Sequence, residues 1–252
     1  MPRPVSLSVG LEIASARILR VMNLQLKPRW VGDVLVLQCA GRIVAGPEAQ
    51  ALHDAVRQEL PQQPHVVLQT AEVQFIDSSG LGTIVRLMSA ARAAGGDVKI
   101  CQPPAMVRKV LAMTNLHKVF EIYETEDEAI LAALRARRPQ AESQADHSRP
   151  AVLCVDESPD VLAYLAELLR KDGLRPITAG NLVDAQVLAK ARHPQLILAN
   201  ARLSALGKTA GEIFAHCCPD VKFLDLGDAF SKDDAGEAGA NLLARVRGQI
   251  GS

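Results

Sequence analysis

The stretch Val73-Gln74-Phe75-Ile76-Asp77-Ser78-Ser79-Gly80-Leu81-Gly82, VQFIDSSGLG at residues 73–82, decides how the first half of this chain folds. It passes from an apolar run to an acid, two adjacent hydroxyls and two glycines around a leucine. Upstream, His65-Val66-Val67-Leu68 reads as a buried strand. Downstream, Leu81, Ile84, Val85, Met88 and Ala91 recur with helical period until Gly95-Gly96 ends the pattern. The serines therefore lie where a strand ends and a helix begins. Backbone N–H groups there have no intrahelical partner, and the helix dipole is positive. One reading is a helix cap made by Ser78 or Ser79. The other is an acceptor for phosphate, which those donors would solvate and which adds about −1.5 to −2 charges beside Asp77. A nucleophilic serine is disfavoured, because no GxSxG step surrounds it and no His/Asp partners follow.

The flanks extend the alternation. LQLKPRWV and DVLVLQCAGRI read as two strands joined at Gly32-Asp33. Pro47 opens an amphipathic helix carrying Leu52, Val56 and Leu60. DVKICQ is a strand, PAMVRKVLAMTNL a helix and VFEIYE a last strand. Thr125 with Glu128 forms a capping box for EDEAILAALRA. This predicts an α/β fold, a sheet with packed helices. Residues 135–150, RARRPQAESQADHSRP, are polar, carry two prolines and lack an apolar period, so residues 137–149 read as a linker. Residues 1–21 are set aside as an N-terminal extension, with Met22 opening the first domain at 22–136. A second domain spans 150–252. There AVLCVDES, LRPITAG, PQLILANA and VKFLDLG alternate with helical patterns, which predicts a doubly wound parallel sheet.

Composition excludes several classes. Lys+Arg and Asp+Glu are equal at 28 each, which argues against a nucleic-acid binder relying on bulk positive charge. No apolar run reaches the about 18 residues that span a bilayer, so no membrane insertion is expected. The first twenty residues make a poor secretory signal. Cys39, Cys101, Cys154, Cys217 and Cys218 include no CxxC pair and read as reduced core residues of a cytoplasmic protein. His216-Cys217-Cys218 is a poor metal site, because adjacent helical residues point about 100° apart. No cofactor and no metal are expected. His53 and His65 read as surface or packing residues.

FIDSSGLG, with its flanking strand and helix, resembles the anti-sigma-factor antagonist family, the STAS domain of bacterial partner-switching systems, over about residues 22–136. The resemblance implies a STAS-type sheet and no enzymatic activity. It implies phosphorylation of Ser78 by an anti-sigma factor that is a serine protein kinase, with Asp77, Ser79 and Gly80 shaping the turn. The unphosphorylated form would bind that partner, free a sigma factor and so regulate transcription. One segment departs from the pattern. Where antagonists often carry Gly-Glu-Leu-Asp, this chain has Gly41-Arg42-Ile43-Val44.

The second half resembles a response-regulator receiver domain. Asp156 and Glu157 match its acidic, metal-holding pair, and Asn200 matches the phosphate-accepting position on the third strand. An amide is no carboxylate nucleophile, and its presence also removes an anionic Mg²⁺ ligand. Asp225 ends the fourth strand where receivers carry Thr or Ser, and the stretch from Gly227 to Gly239 is too short for a further helix and strand. Residues 150–252 are thus expected to be a degenerate, shortened receiver that acts through its surface, with self-association as one role. Two other readings stay open, a constitutive stressosome-like scaffold and a soluble STAS subunit beside a membrane transporter.

Overall fold

The structure is a computed structural model that describes residues 19–21, 23–60, 64–136, 149–205, 207–227 and 235–250. The first half is built on a six-stranded sheet. Its strands, in sheet order, are β1 (Leu19–Val21), β2 (Leu24–Val31), β3 (Val34–Ile43), β4 (His65–Ile76), β5 (Asp97–Cys101) and β6 (Ile122–Tyr123). β1, β2 and β3 pair antiparallel, and β3 to β6 run parallel, so the sheet is mixed. The first strand starts at Leu19, three residues before the domain boundary expected at Met22. Leu19 and Val21 pair with Leu26 and Leu24 through a tight connection, a register too short to show as alternation in the sequence. The strand expected over VFEIYE is reduced to two residues.

Helices α1 (Pro47–Arg57), α2 (Ser78–Ala93) and α3 (Ala105–Met113) cover one sheet face, and α4 (Glu126–Ala136) covers the other. The strand pleat separates two apolar sets. Leu35, Leu37, Val66, Leu68 and Ile100 face α1 to α3, while Val34, Val36, Val67 and Cys101 face α4. β4 is buried from His65 to Thr70 because both of its faces are covered, hence its unbroken apolar run. Thr125 Oγ1 accepts the N–H of Glu128 at 3.3 Å and caps α4.

The second half holds a parallel sheet in the order β12 (Lys222–Asp225), β9 (Leu196–Ala199), β7 (Ala151–Val155), β8 (Arg175–Ala179). Helices α5 (Pro159–Lys171) and α8 (Ala235–Ile250) lie on one face, and α6 (Leu182–Arg192) and α7 (Ala210–Cys217) on the other. This is the expected doubly wound arrangement, and among the described residues no strand follows β12. A small hairpin, β10 (Ser204–Ala205) and β11 (Lys208–Thr209), precedes α7 and was not legible as strand. Thr209 and Glu212 cap α7 reciprocally.

The two halves are not separate bodies on a tether. Ala129, Ile130, Ala133 and Leu134 of α4 belong to the same buried cluster as Leu182, Ala185, Leu188 and Ala189 of α6. The Gly32-Asp33 turn reaches the same seam. A Cβ on Gly32 would meet Leu188 at 3.0 Å, and the residue adopts φ +61°, so glycine suits it twice. Ions flank the seam. Arg29 on β2 pairs with Glu126 at the start of α4 and with buried Asp184 of α6. Arg192 pairs with Asp33 at 2.8 Å. The polar stretch at 137–148 lies outside the described residues.

Arg29→Ala is expected to leave the Asp184 carboxylate buried with Asn181 as its side-chain partner, at a cost of about 1–3 kcal/mol. Because the core is shared, Trp30 fluorescence and far-ultraviolet circular dichroism should shift to a lower urea midpoint together. Separate transitions would mean the halves unfold independently. A second expectation concerns His65, buried at the start of β4 with no hydrogen-bond partner for Nδ1 among the described residues. Burial, then the neighbouring Lys99, push its pKa below the ordinary 6.5; Asp97 opposes this and Arg192 adds to it. The unfolded chain therefore binds this proton more readily. Stability is full above about pH 6.5 and falls as pH drops toward the lowered folded value. A melting series from pH 8 to 5 should show that decline, and His65→Gln should flatten it.

Candidate functional site

The turn at Asp77 is assembled from three elements that end at one place. β3 ends at Ile43, β4 ends at Ile76 and α2 begins at Ser78. Asp77 is the helix cap, not either serine. Its Oδ1 accepts the N–H of Gly80 at 2.7 Å, and its Oδ2 accepts the N–H of Ala45 at 3.0 Å. The Asp77 N–H in turn donates to the Ile43 carbonyl at 3.3 Å. The N–H groups of Gly80 first, then Ala45 and Ser79, hold the Asp77 carboxyl below its usual range, with the positive charge of Arg42 a smaller contributor.

Gly80 is required for a steric reason. α2 runs so close to β3 that a Cβ at this position would overlap the Ile43 carbonyl. Gly80 is buried, and Ser78 and Ser79, the two residues before it, are exposed. With Asp77 doing the capping, both hydroxyls are left free of that task. The Ser79 carbonyl accepts the Thr83 hydroxyl at 3.0 Å, and Arg86 donates to the same hydroxyl at 2.7 Å. Ser79, Thr83 and Arg86 line a polar cavity of about 360 Å³ together with Gln50 and His53 of α1. Ser78 is not part of that lining. Beside the turn, the Arg42 guanidinium stacks on the half-exposed ring of Phe75, 5.0 Å from its centroid. Sequence reasoning noted Arg42 only as a departure from a motif. The signal it lacked was the parallel register, which sets Arg42 opposite Phe75.

The residues expected to form a receiver-like pocket also converge. Asp156 and Glu157, following β7, and Asn200, following β9, line one cavity of about 320 Å³ with Arg202 and Ser204. The Asp156 and Asn200 side chains serve the local turns. Asp156 accepts the Ser158 N–H at 2.8 Å, and Asn200 accepts the Arg202 N–H at 2.9 Å. Asp225 accepts the N–H groups of Ala201 and Gly227 at 2.8 and 3.0 Å, which hold its carboxyl below the usual range. Cys39 and Cys154 are buried, and burial pushes each thiol up to about 12, so both stay protonated and inert at neutral pH. Of the described residues, no helix is long and apolar enough to cross a membrane.

A family model described as the STAS domain matches residues 26–129. The anti-sigma F factor antagonist of Paenibacillus polymyxa is 30% identical over 112 residues, which is 43% of this chain and 94% of that relative. Among solved structures, an anti-sigma factor antagonist from Mycobacterium paratuberculosis is 23% identical with a TM-score of 0.37, over 44% of this chain and 93% of that one. The phosphorylated form of SpoIIAA, a Bacillus cell fate determinant, is 20% identical with a TM-score of 0.36, over 42% and 96%.

Gly80→Ala is expected to cost about 2–3 kcal/mol, since the methyl group meets backbone that cannot swing aside. Asp77→Ala should cost about 1 kcal/mol through the lost cap, and Asp77→Asn less. Urea unfolding of the three variants measures this order; equal midpoints for Gly80→Ala and the parent chain would show that α2 is free to shift.

Proposed function

Because the chain belongs to the anti-sigma factor antagonist family through its STAS domain, we propose that it is a non-enzymatic, phosphorylation-gated binding protein of partner switching. In this reading the bare Ser78 turn engages an anti-sigma factor that is also a serine protein kinase. Engagement frees a sigma factor, and phosphate on Ser78 ends it. Both steps belong to the cytoplasm. The observation that carries the reading is the exposed Ser78 hydroxyl at the first residue of α2, left uncommitted because Asp77 caps the helix. A phosphate there lies at the positive end of a sixteen-residue helix and beside the Asp77 carboxylate. The site therefore changes its surface charge with little need for the fold to move.

The second domain enters this reading as a docked, phosphate-inert unit. Asn200 supplies no carboxylate nucleophile, and Asp156 and Asp225 are held by turn N–H groups. Its packing against α4 favours a second reading, a scaffold subunit in which the docked unit mediates assembly. Partner release on phosphorylation separates the two.

Kinase treatment is expected to place one phosphate on Ser78, mapped by mass spectrometry. Ser78→Ala should retain the partner, and Ser78→Asp should weaken it about tenfold or more in pull-down titrations. Phosphate found on Ser79 alone would move the switch to the other hydroxyl, and unchanged binding by Ser78→Asp would favour the scaffold. Acetyl phosphate with Mg²⁺ should leave residues 150–252 unmodified. A base-labile adduct on Asp156, Glu157 or Asp225 would overturn the inert reading.

A further inference from the structure

A second recognition surface adjoins the Ser78 turn. A groove of about 310 Å³ runs along the ends of β1 to β4, lined by Arg20, Asn23, Gln25, Arg42 and Gln74 among others. Its shape follows from the backbone. Gly41 adopts φ +105°, and the space a Cβ would take there is filled by the Asn23 carbonyl, which accepts the Arg42 N–H at 2.9 Å. Arg20 and Arg42 both line the depression beside that contact.

The groove is cationic and amide-lined, and no carboxylate is among its lining residues. The acids that flank it are engaged elsewhere. Glu72 accepts from Gln38 at 2.7 Å, and Asp77 accepts from Ala45 and Gly80. Among the described residues neither Arg20 nor Arg42 has a carboxylate within salt-bridge distance; Arg42 stacks on Phe75 and lies in the longer-range field of Asp77. Phe75, 37% exposed, adds an aromatic anchor beside an arginine, a combination that recurs where a few residues carry most of a binding energy. The chain's own first eighteen residues are a poor match for this charge, with one acid, Glu12, against Arg3 and Arg17.

We propose that this groove docks an acidic segment of the protein that engages the Ser78 turn, with carboxylates on Arg20 and Arg42 and an apolar side chain on Phe75. The proposal rests on the partner-binding reading of that turn and gives its gating a physical cause. A phosphate on Ser78 adds about −1.5 to −2 charges close to Arg42. It repels the acidic segment and competes with it for the guanidinium.

The test places the photocrosslinker p-benzoylphenylalanine at Gln74, an exposed groove residue, in the full chain in extract of its own cells, followed by sequencing of the crosslinked peptide. The expected result is a protein segment with three or more Asp or Glu within about eight residues of the crosslink. Its yield should fall on raising NaCl from 50 to 300 mM, and at least about tenfold in Arg20→Glu/Arg42→Glu. Arg20→Gln/Arg42→Gln, with an unchanged melting temperature, should give the same direction if the charge-reversed chain folds poorly. A neutral or basic peptide, a nucleic acid, the chain's own first eighteen residues, no crosslink, or a yield indifferent to both arginine pairs would overturn the proposal. Ser78→Asp is run in parallel. If it leaves the yield unchanged while the arginine variants abolish it, the groove stands and the phosphorylation switch falls.

Discussion

The contact between the first turn of α2 and the end of β3 is the constraint on which the functional end of this molecule depends. A helix can approach a strand's backbone this closely only where no side chain intervenes, and Gly80 supplies that position against the Ile43 carbonyl. Asp77 then ties the ends together, accepting from Ala45 after β3 and from Gly80 within α2. The order of the residues follows from this division of labour. The acid caps, the glycine packs, and the serines between them are held on a rigid ledge with their hydroxyls outward. A loop would hold them less firmly, and a serine cap would bury the oxygen in a backbone hydrogen bond.

The second organising feature lies on the opposite sheet face. α4 is apolar on two sides, one toward Val36 and Val67 and one toward Leu188, so it serves as common core for both sheets. The buried Asp184 carboxylate in that seam pairs with Arg29 of β2 and with Asn181, which fixes the orientation of α6 as well as its contact. Residues facing α2 and residues facing α4 alternate along the same strands. Among the described residues, the second half therefore leaves the Ser78 turn uncovered while being packed against the sheet that holds it.

Much of this was readable in advance, for identifiable reasons. β4 and α2 announce themselves through an apolar run and a helical period separated by Asp77, and Pro47, Thr125 and Ser158 stand where helices begin. The parallel sheet of the second half was legible from four apolar runs, and Asp156, Glu157 and Asn200 line one cavity. What escaped was long-range. The polar stretch after Ala136 reads as a linker between two domains, and composition says nothing of which helix faces meet. α4 carried the hint, with Ala129, Ile130, Ala133 and Leu134 forming a stripe that one sheet alone does not exhaust. Arg42 and Phe75 are 33 positions apart and meet only through strand register. The capping role went to Asp77 and not to a serine, a matter of one residue at a helix boundary.

The shared helix also sets conditions on how the protein is made. Synthesis runs from the N-terminus, so the STAS sheet and α4 are complete while residues 150–250 are still being added. During that interval Leu134, Val31 and their neighbours lack the α6 surface that covers them in the finished molecule. The nascent first half is thus a sticky intermediate, exposed to chaperones and to copies of itself on neighbouring ribosomes. Its maturation is complete only when α6 arrives to close the seam.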